Sequence, residues 1–245
     1  MPETDRKVAI VTGAGSGVGR DTALLLADAG YAVVLASRTE ADLQASTDYI
    51  REQGTEDAVT LVVPTDVSDS AACEALVRRT LDAFGRVDAL ANCAGSAPLQ
   101  PIDKMTDSII DAALAVNLKS VLYLTRAIWP TFKQQKDAGG GAICNVSSMA
   151  SLDPFTGFNV YAAAKAGVNL FTKATADEGK RFNIRVAAVA PGAIETPMLR
   201  QNFPDKVIPQ DKTLDPLTVA GVIRDVLTGA MDFDNGQTIP LPSPS

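Results

Sequence analysis

Tyr161 and Lys165 stand four residues apart in Tyr161-Ala162-Ala163-Ala164-Lys165. On a helix that spacing stacks both side chains on one face. An ammonium beside a phenol favours the phenolate and draws a pKa of about 10 toward neutrality. Such a tyrosine can exchange a proton with a substrate oxygen near neutral pH. Upstream, the apolar run 142–146 ends in Ser147-Ser148, whose hydroxyls can hold the same oxygen. Asn117 lies among Ala115, Val116 and Leu118, where a lone amide is costly unless it is hydrogen-bonded. The chain has no histidine, which excludes a Ser-His-Asp triad, a Cys-His pair and a His-ligated metal. Proton transfer near pH 7 is left to a carboxylate, Lys, Cys or Tyr with a shifted pKa.

A second cluster stands near the start, in Thr12-Gly13-Ala14-Gly15-Ser16-Gly17-Val18-Gly19. A glycine-rich turn between a strand and a helix lets backbone N–H groups approach a pyrophosphate and aims the positive helix end at it. No Gly-Lys-Ser/Thr closes the loop, so it is not a Walker loop. Val18 breaks the Gly-x-Gly-x-x-Gly spacing, leaving Gly13-x-x-x-Gly17-x-Gly19.

The elements that must position these groups follow from periodicity. Strand-like runs at 8–11, 32–35, 59–63, 87–91, 142–146, 183–190 and 237–241 alternate with helical stretches at 21–29, 39–52, 70–84, 106–135, 161–181 and 217–228. That alternation predicts one α/β Rossmann-type domain over residues 1–245, a doubly wound, seven-stranded parallel sheet with helices on both faces. Residues 191–215 read as a Pro-rich polar connection, and 242–245 as a frayed tail. A net charge of -7 disfavours nucleic acid and anionic lipid. No uninterrupted apolar run approaches the roughly 20 residues that span a bilayer, and residues 1–7 do not read as a signal peptide. The expectation is a cytoplasmic protein with three unpaired cysteines, Cys73, Cys93 and Cys144, used for packing.

Together these motifs resemble the classical short-chain dehydrogenase/reductase family, from Lys7 to about Leu241. The resemblance implies an oxidoreductase that moves a hydride between a nicotinamide cofactor and a carbonyl or secondary alcohol. It assigns Gly13, Gly15, Ser16, Gly17, Val18 and Gly19 to the pyrophosphate loop. Asp66 and Val67 resemble the adenine contact, and Asn92-Cys93-Ala94-Gly95 the Asn-Asn-Ala-Gly element, with Cys93 a departure. Pro191, Gly192, Ile194 and Thr196 resemble the segment that closes over the nicotinamide amide. Tyr161 becomes the proton donor, and Ser148, rather than Ser147, polarises the substrate oxygen. Lys165 holds the ribose hydroxyls and lowers the tyrosine's pKa; the carbonyl of Asn117 holds a water linked to that lysine.

At the end of the second strand Ser37 replaces the acid that usually accepts from an adenine ribose, and Arg38 follows with a fork of donors suited to a phosphate. That pair favours NADP(H) over NAD(H). Apolar residues at 149–159 and beyond Pro197, among them Leu152, Phe155, Phe158, Met198, Leu199 and Phe203, leave acyl thioesters, ketones, steroids and sugar alcohols open as substrates. Pro240-Leu241-Pro242 departs from the family's closing segment, so a homodimer through the long helices or a homotetramer is expected. The rivals are a nicotinamide-binding regulator with weak turnover, and a lyase or dehalogenase on the same fold. Tyr161→Phe should keep fold and cofactor affinity while losing about 10²–10⁴ in kcat; a near-normal rate in steady-state assays would overturn the role of Tyr161.

Overall fold

The structure is a computed structural model that describes residues 5–53 and 56–244. Residues 1–4 and Ser245, at the ends of the expected leaderless start and frayed tail, lie outside the described residues.

The strand-like runs form seven strands: β1 (Val8–Thr12), β2 (Ala32–Ser37), β3 (Thr60–Pro64), β4 (Ala89–Asn92), β5 (Gly141–Val146), β6 (Ile184–Pro191) and β7 (Thr238–Leu241). They lie in one sheet in the order β3-β2-β1-β4-β5-β6-β7, all parallel. Parallel strands need helical crossovers, which cover both faces and make continuous apolar runs favourable. Along β1, Ala9 and Val11 face one layer, with α1 (Gly17–Asp28), α2 (Glu40–Glu52) and α8 (Pro216–Thr228). Val8 and Ile10 face the other, with α3 (Ser70–Phe84), α5 (Ser120–Gln134) and α6 (Asn159–Gly179). From β1 the chain winds to β2 and β3 in one direction, and from β4 to β7 in the other. The loops after β1 and β4 therefore diverge, and the crevice between them is where open α/β sheets take ligands.

Three expectations change. The helix over 106–135 is not uniform: α4 (Asp107–Leu114) passes through a π turn, Ala115–Lys119, into α5. Although no apolar run is unbroken, the helical span Asp107–Gln134 is long and apolar enough to cross a membrane by length and composition alone. Averaging over a helix tolerates the occasional charge that breaks a run. Here Leu124, Ile128 and Phe132 of that span are buried in the second layer, and Val121 is buried beside them in the same helix. Second, the connection 191–215 contains α7 (Pro197–Asn202), capped by the Thr196 hydroxyl, which accepts from Leu199 N, and a 3₁₀ turn at Gln210–Lys212. Third, the tail is tied down through Ser243, whose Oγ accepts from Ala193 N at 2.7 Å.

Beneath the crevice runs a buried amide tie. Asn92 Nδ2 donates to Asn145 Oδ1 at 2.8 Å, and Asn145 Nδ2 donates to Thr172 Oγ1 at 2.9 Å, joining β4, β5 and α6. Truncating Asn145 would leave the Asn92 amide and the Thr172 hydroxyl buried with lost partners. Asn145→Ala should cost about 1–3 kcal/mol, read from urea unfolding as a lower midpoint at unchanged slope.

Candidate active site

A cleft of about 620 Å³ opens at the carboxyl edge of the sheet, within the size range of small-molecule sites. Its walls bring together the glycine loop, the ends of β2, β4 and β5, the start of α6, and the segment 191–208.

Ser147 and Ser148 part company at the end of β5. The Ser147 hydroxyl turns inward and donates to the Lys165 carbonyl at 3.2 Å. Ser148 heads a 3₁₀ turn, Met149–Ser151, and its Oγ accepts from Ala150 N. Its own carbonyl is held by the Ser151 hydroxyl at 2.6 Å, which in turn accepts from Asn169 at 2.8 Å. Tyr161 and Lys165 lie one turn apart near the start of α6, with the Lys165 Nζ 5.8 Å from the Tyr161 ring centre. Nζ donates to the Val146 carbonyl at 2.7 Å.

Asn117 is fully buried in the π turn and is not on the cleft wall. Its Nδ2 donates to the carbonyls of Ser96 and Ala113 at 2.8 and 2.9 Å, and its Oδ1 accepts from Ser96 N at 3.1 Å. The amide thus pins the loop after β4 beside the lysine. A Cβ on Gly95 would come within 3.2 Å of Asn117 Oδ1 and 3.8 Å of Lys165 Nζ, so that loop must be bare to pass between them.

Burial sets the proton chemistry. Desolvation lowers Lys165 to about 8. It also raises Tyr161 above the ordinary phenol value, an effect that interaction with the Ser148 hydroxyl opposes. Desolvation outweighs any downward pull from Lys165, whose Nζ lies 5.8 Å from the ring centre and donates to the Val146 carbonyl. Cys93 carries a thiol pushed up to about 12 by desolvation, which removes it as a nucleophile near neutral pH.

On the opposite wall, Gly13 has φ of 66°, in the left-handed region, and a Cβ on Gly19 would collide with the Gly13 carbonyl. Gly15, Ser16, Gly17 and Val18 line the cleft with them, as do Ser37, Arg38, Asp66, Val67, Ala94, Pro191, Gly192, Ile194 and Thr196. Asp66 also accepts from the Ser68 N–H and hydroxyl, which holds its carboxyl low. Asn92 does not reach the cleft; buried and engaged by Asn145, it serves the sheet rather than the wall.

Residues not singled out in sequence also line the cleft. Asp42, in the first turn of α2, would meet a Cβ on Gly15 at 3.0 Å; its place three residues after the Thr39 cap was the available signal. Thr65 and Asn202 join it, the latter donating to the Ala97 carbonyl across the mouth at 2.8 Å. The segment 197–213 is clasped by Arg200, which forks onto Glu195 and donates to the carbonyls of Phe203 and Ile208. That pairing holds the Glu195 carboxyl below its ordinary value.

The cleft fits a dinucleotide on two observations. The backbone cradle of the glycine loop has no room for added side chains. The Ser37 Oγ, buried at the adenine end, finds no hydrogen-bond partner among the described residues. Residues 7–207 match the family model for short chain dehydrogenases. The chain belongs to the short-chain dehydrogenase/reductase family. It is 35% identical over 241 residues to the 3-oxoacyl-[acyl-carrier-protein] reductase of Thermotoga maritima, covering 95% of each chain. A 3-ketoacyl-(acyl-carrier-protein) reductase from Brucella melitensis, complexed with NADH, superposes with a TM-score of 0.86 at 31% identity, covering 96% of both chains. An actinorhodin polyketide ketoreductase with NADPH gives 0.87 at 28%, covering 98% of this chain and 97% of that one. As a short-chain dehydrogenase/reductase the chain is an NAD(P)-dependent oxidoreductase acting on CH–OH and C=O groups.

A lysine whose folded pKa of about 8 lies below its unfolded 10.5 costs stability at pH 7, and the cost fades as pH rises through that window. Tyr161 and the cysteines are shifted upward and act with the opposite sign at alkaline pH. They cancel in a comparison of Lys165→Met with the parent. The variant's stability relative to the parent should therefore fall by about 2–3 kcal/mol from pH 7 to 10, read from urea midpoints. A pH-independent difference would show that Lys165 is charged throughout.

Proposed function

We propose that the protein is an NADP(H)-dependent ketoreductase in which Tyr161 passes a proton to or from the substrate oxygen. The observation that carries this reading is the convergence of Ser148, Tyr161 and Lys165 on one wall of the cleft, facing the glycine loop. A bound reduced nicotinamide supplies the hydride. The Ser148 hydroxyl holds the carbonyl oxygen, and the Tyr161 hydroxyl delivers the proton, so ketone becomes alcohol. Lys165, lowered to about 8, stands ready to replace that proton near neutral pH. Asn117 keeps the loop after β4 in place beside it.

The choice of NADP(H) rests on the adenine end. Ser37 offers a hydroxyl in place of the usual acid, and Arg38 brings a cation to the wall. Asp42 and Asp66 stand against it in charge, two carboxylates to one guanidinium. The intact catalytic trio argues against a regulator without turnover, and the glycine loop against a lyase or dehalogenase. In this reading the enzyme works in the cytoplasm as a homodimer or homotetramer. Its net charge of -7 argues against a nucleic acid partner, and the buried stripe of α5 favours packing over membrane insertion.

One charge-assisted hydrogen bond is worth about 1.5–3 kcal/mol, roughly ten- to a hundredfold in affinity. The parent should therefore prefer NADPH over NADH by about tenfold or more in kcat/KM. Ser37→Asp with Arg38→Ile should reverse the preference. A parent that prefers NADH would overturn the cofactor choice, and an absence of turnover on every ketone and alcohol would overturn the reductase itself.

A further inference from the structure

The cleft is chemically divided. Its adenine end carries Arg38, Asp42 and Asp66, whereas its substrate end is apolar and aromatic. Phe158 packs against the ring of Tyr161 at 5.2 Å between centres and against Phe203 at 5.8 Å, edge to face. Phe155 adds a third phenylalanine ring, 6.2 Å from Phe158. Phe155 and Met198 line the cleft yet are 65% and 39% exposed. Apolar surface left open beside a proton donor gains free energy only when a ligand covers it.

Charge is as informative as shape. Among the described lining residues of the substrate end, Lys165 is the one charged side chain, and it is buried behind Tyr161 with its Nζ on the Val146 carbonyl. Arg200, on the overlying segment, spends its donors on Glu195, Phe203 and Ile208. A coenzyme A or carrier-tethered thioester brings phosphate groups that gain most from cations along the path to the reacting centre. The protein's net charge of -7 opposes such anions at long range as well.

We propose that the substrate is an untethered, uncharged ketone whose carbonyl is joined to an aromatic or fused-ring skeleton. This deepens the ketoreductase reading and rests on it. The ring lies between Phe155, Phe158 and Phe203, in the offset or edge-to-face contacts such rings prefer. Its carbonyl oxygen meets Ser148 and Tyr161. The reaction is ketone plus hydride from the nicotinamide plus the Tyr161 proton giving a secondary alcohol.

The test compares kcat/KM of the purified protein, with its preferred cofactor, for 1-tetralone and for acetoacetyl-CoA. The aryl ketone should lead by tenfold or more. Phe155→Ala, at an exposed position where folding is not at stake, should raise KM for 1-tetralone several-fold with a smaller change in kcat. Phe155→Arg should narrow the preference by adding a cation to that wall. Equal or better turnover of acetoacetyl-CoA by the parent would overturn the substrate class and leave the reductase reading standing. Cofactor binding with no turnover of either compound would overturn the substrate class, and the same silence across every ketone and alcohol would overturn the reductase reading as well.

Discussion

Lys165 is an ammonium taken almost wholly out of water, and much of the site is arranged around that cost. A buried cation needs acceptors at hydrogen-bonding distance or it gives up its proton. The Val146 carbonyl provides one acceptor because β5 ends there, one residue before the chain turns at Ser147. The Ser147 hydroxyl ties the backbone of Lys165 to the same corner. Gly95 leaves the space above Nζ open. The result is a lysine held near the middle of the pH scale, close enough to a buried phenol to serve it. Those contacts also account for the fixed seat of Ser148, since the turn that follows it is held by Ser151 and Asn169 from α6.

The same corner depends on the sheet. Reversal of winding between β1 and β4 brings two loops side by side with no strand between them. Thr12 secures the seam: its hydroxyl donates to Ala91 O and accepts from the N–H groups of Cys93 and Ala94. The glycine loop and the Ala94-Gly95 loop are therefore set at a fixed separation before any ligand arrives, a form of preorganisation that spares ordering entropy on binding.

Much of this was legible in sequence. The seven strands and the helices between them follow from runs buried on both faces; most boundaries differ by a residue or two, as at Thr39 and Asp215, but α1 starts at Gly17, four residues before the expected 21, because the glycine loop leads directly into it. Tyr161, Lys165 and the glycines were legible because spacing on one local element defines them. Local spacing could not tell Asn92, which lies under the cleft, from Ala94 and Gly95, which line it, since burial depends on β5 and α6. Nor could it find Asp42 or Asn202, which reach the cleft from helices remote in sequence. The tied tail at Ser243 and the short helix α7 escaped for a related reason. Their partners, Ala193 and the carbonyls around Arg200, are long-range or depend on the fold of a Pro-rich segment that has no periodicity.

The π turn at Ala115–Lys119 has a consequence for the phase of the helix that contains it. In a regular α-helix eight residues advance the azimuth by about 80°, so Ala113, Asn117 and Val121 would drift across the width of one face. The wider turn, closed by the Ser120 N–H reaching back to Ala115 O, absorbs most of that rotation. All three residues point to the core along nearly one line. The chain thus behaves as two amphipathic helices of different angular setting, spliced by one extra residue. The seam of the splice is the place where a polar amide can be presented to a neighbouring loop without displacing the apolar stripes on either side.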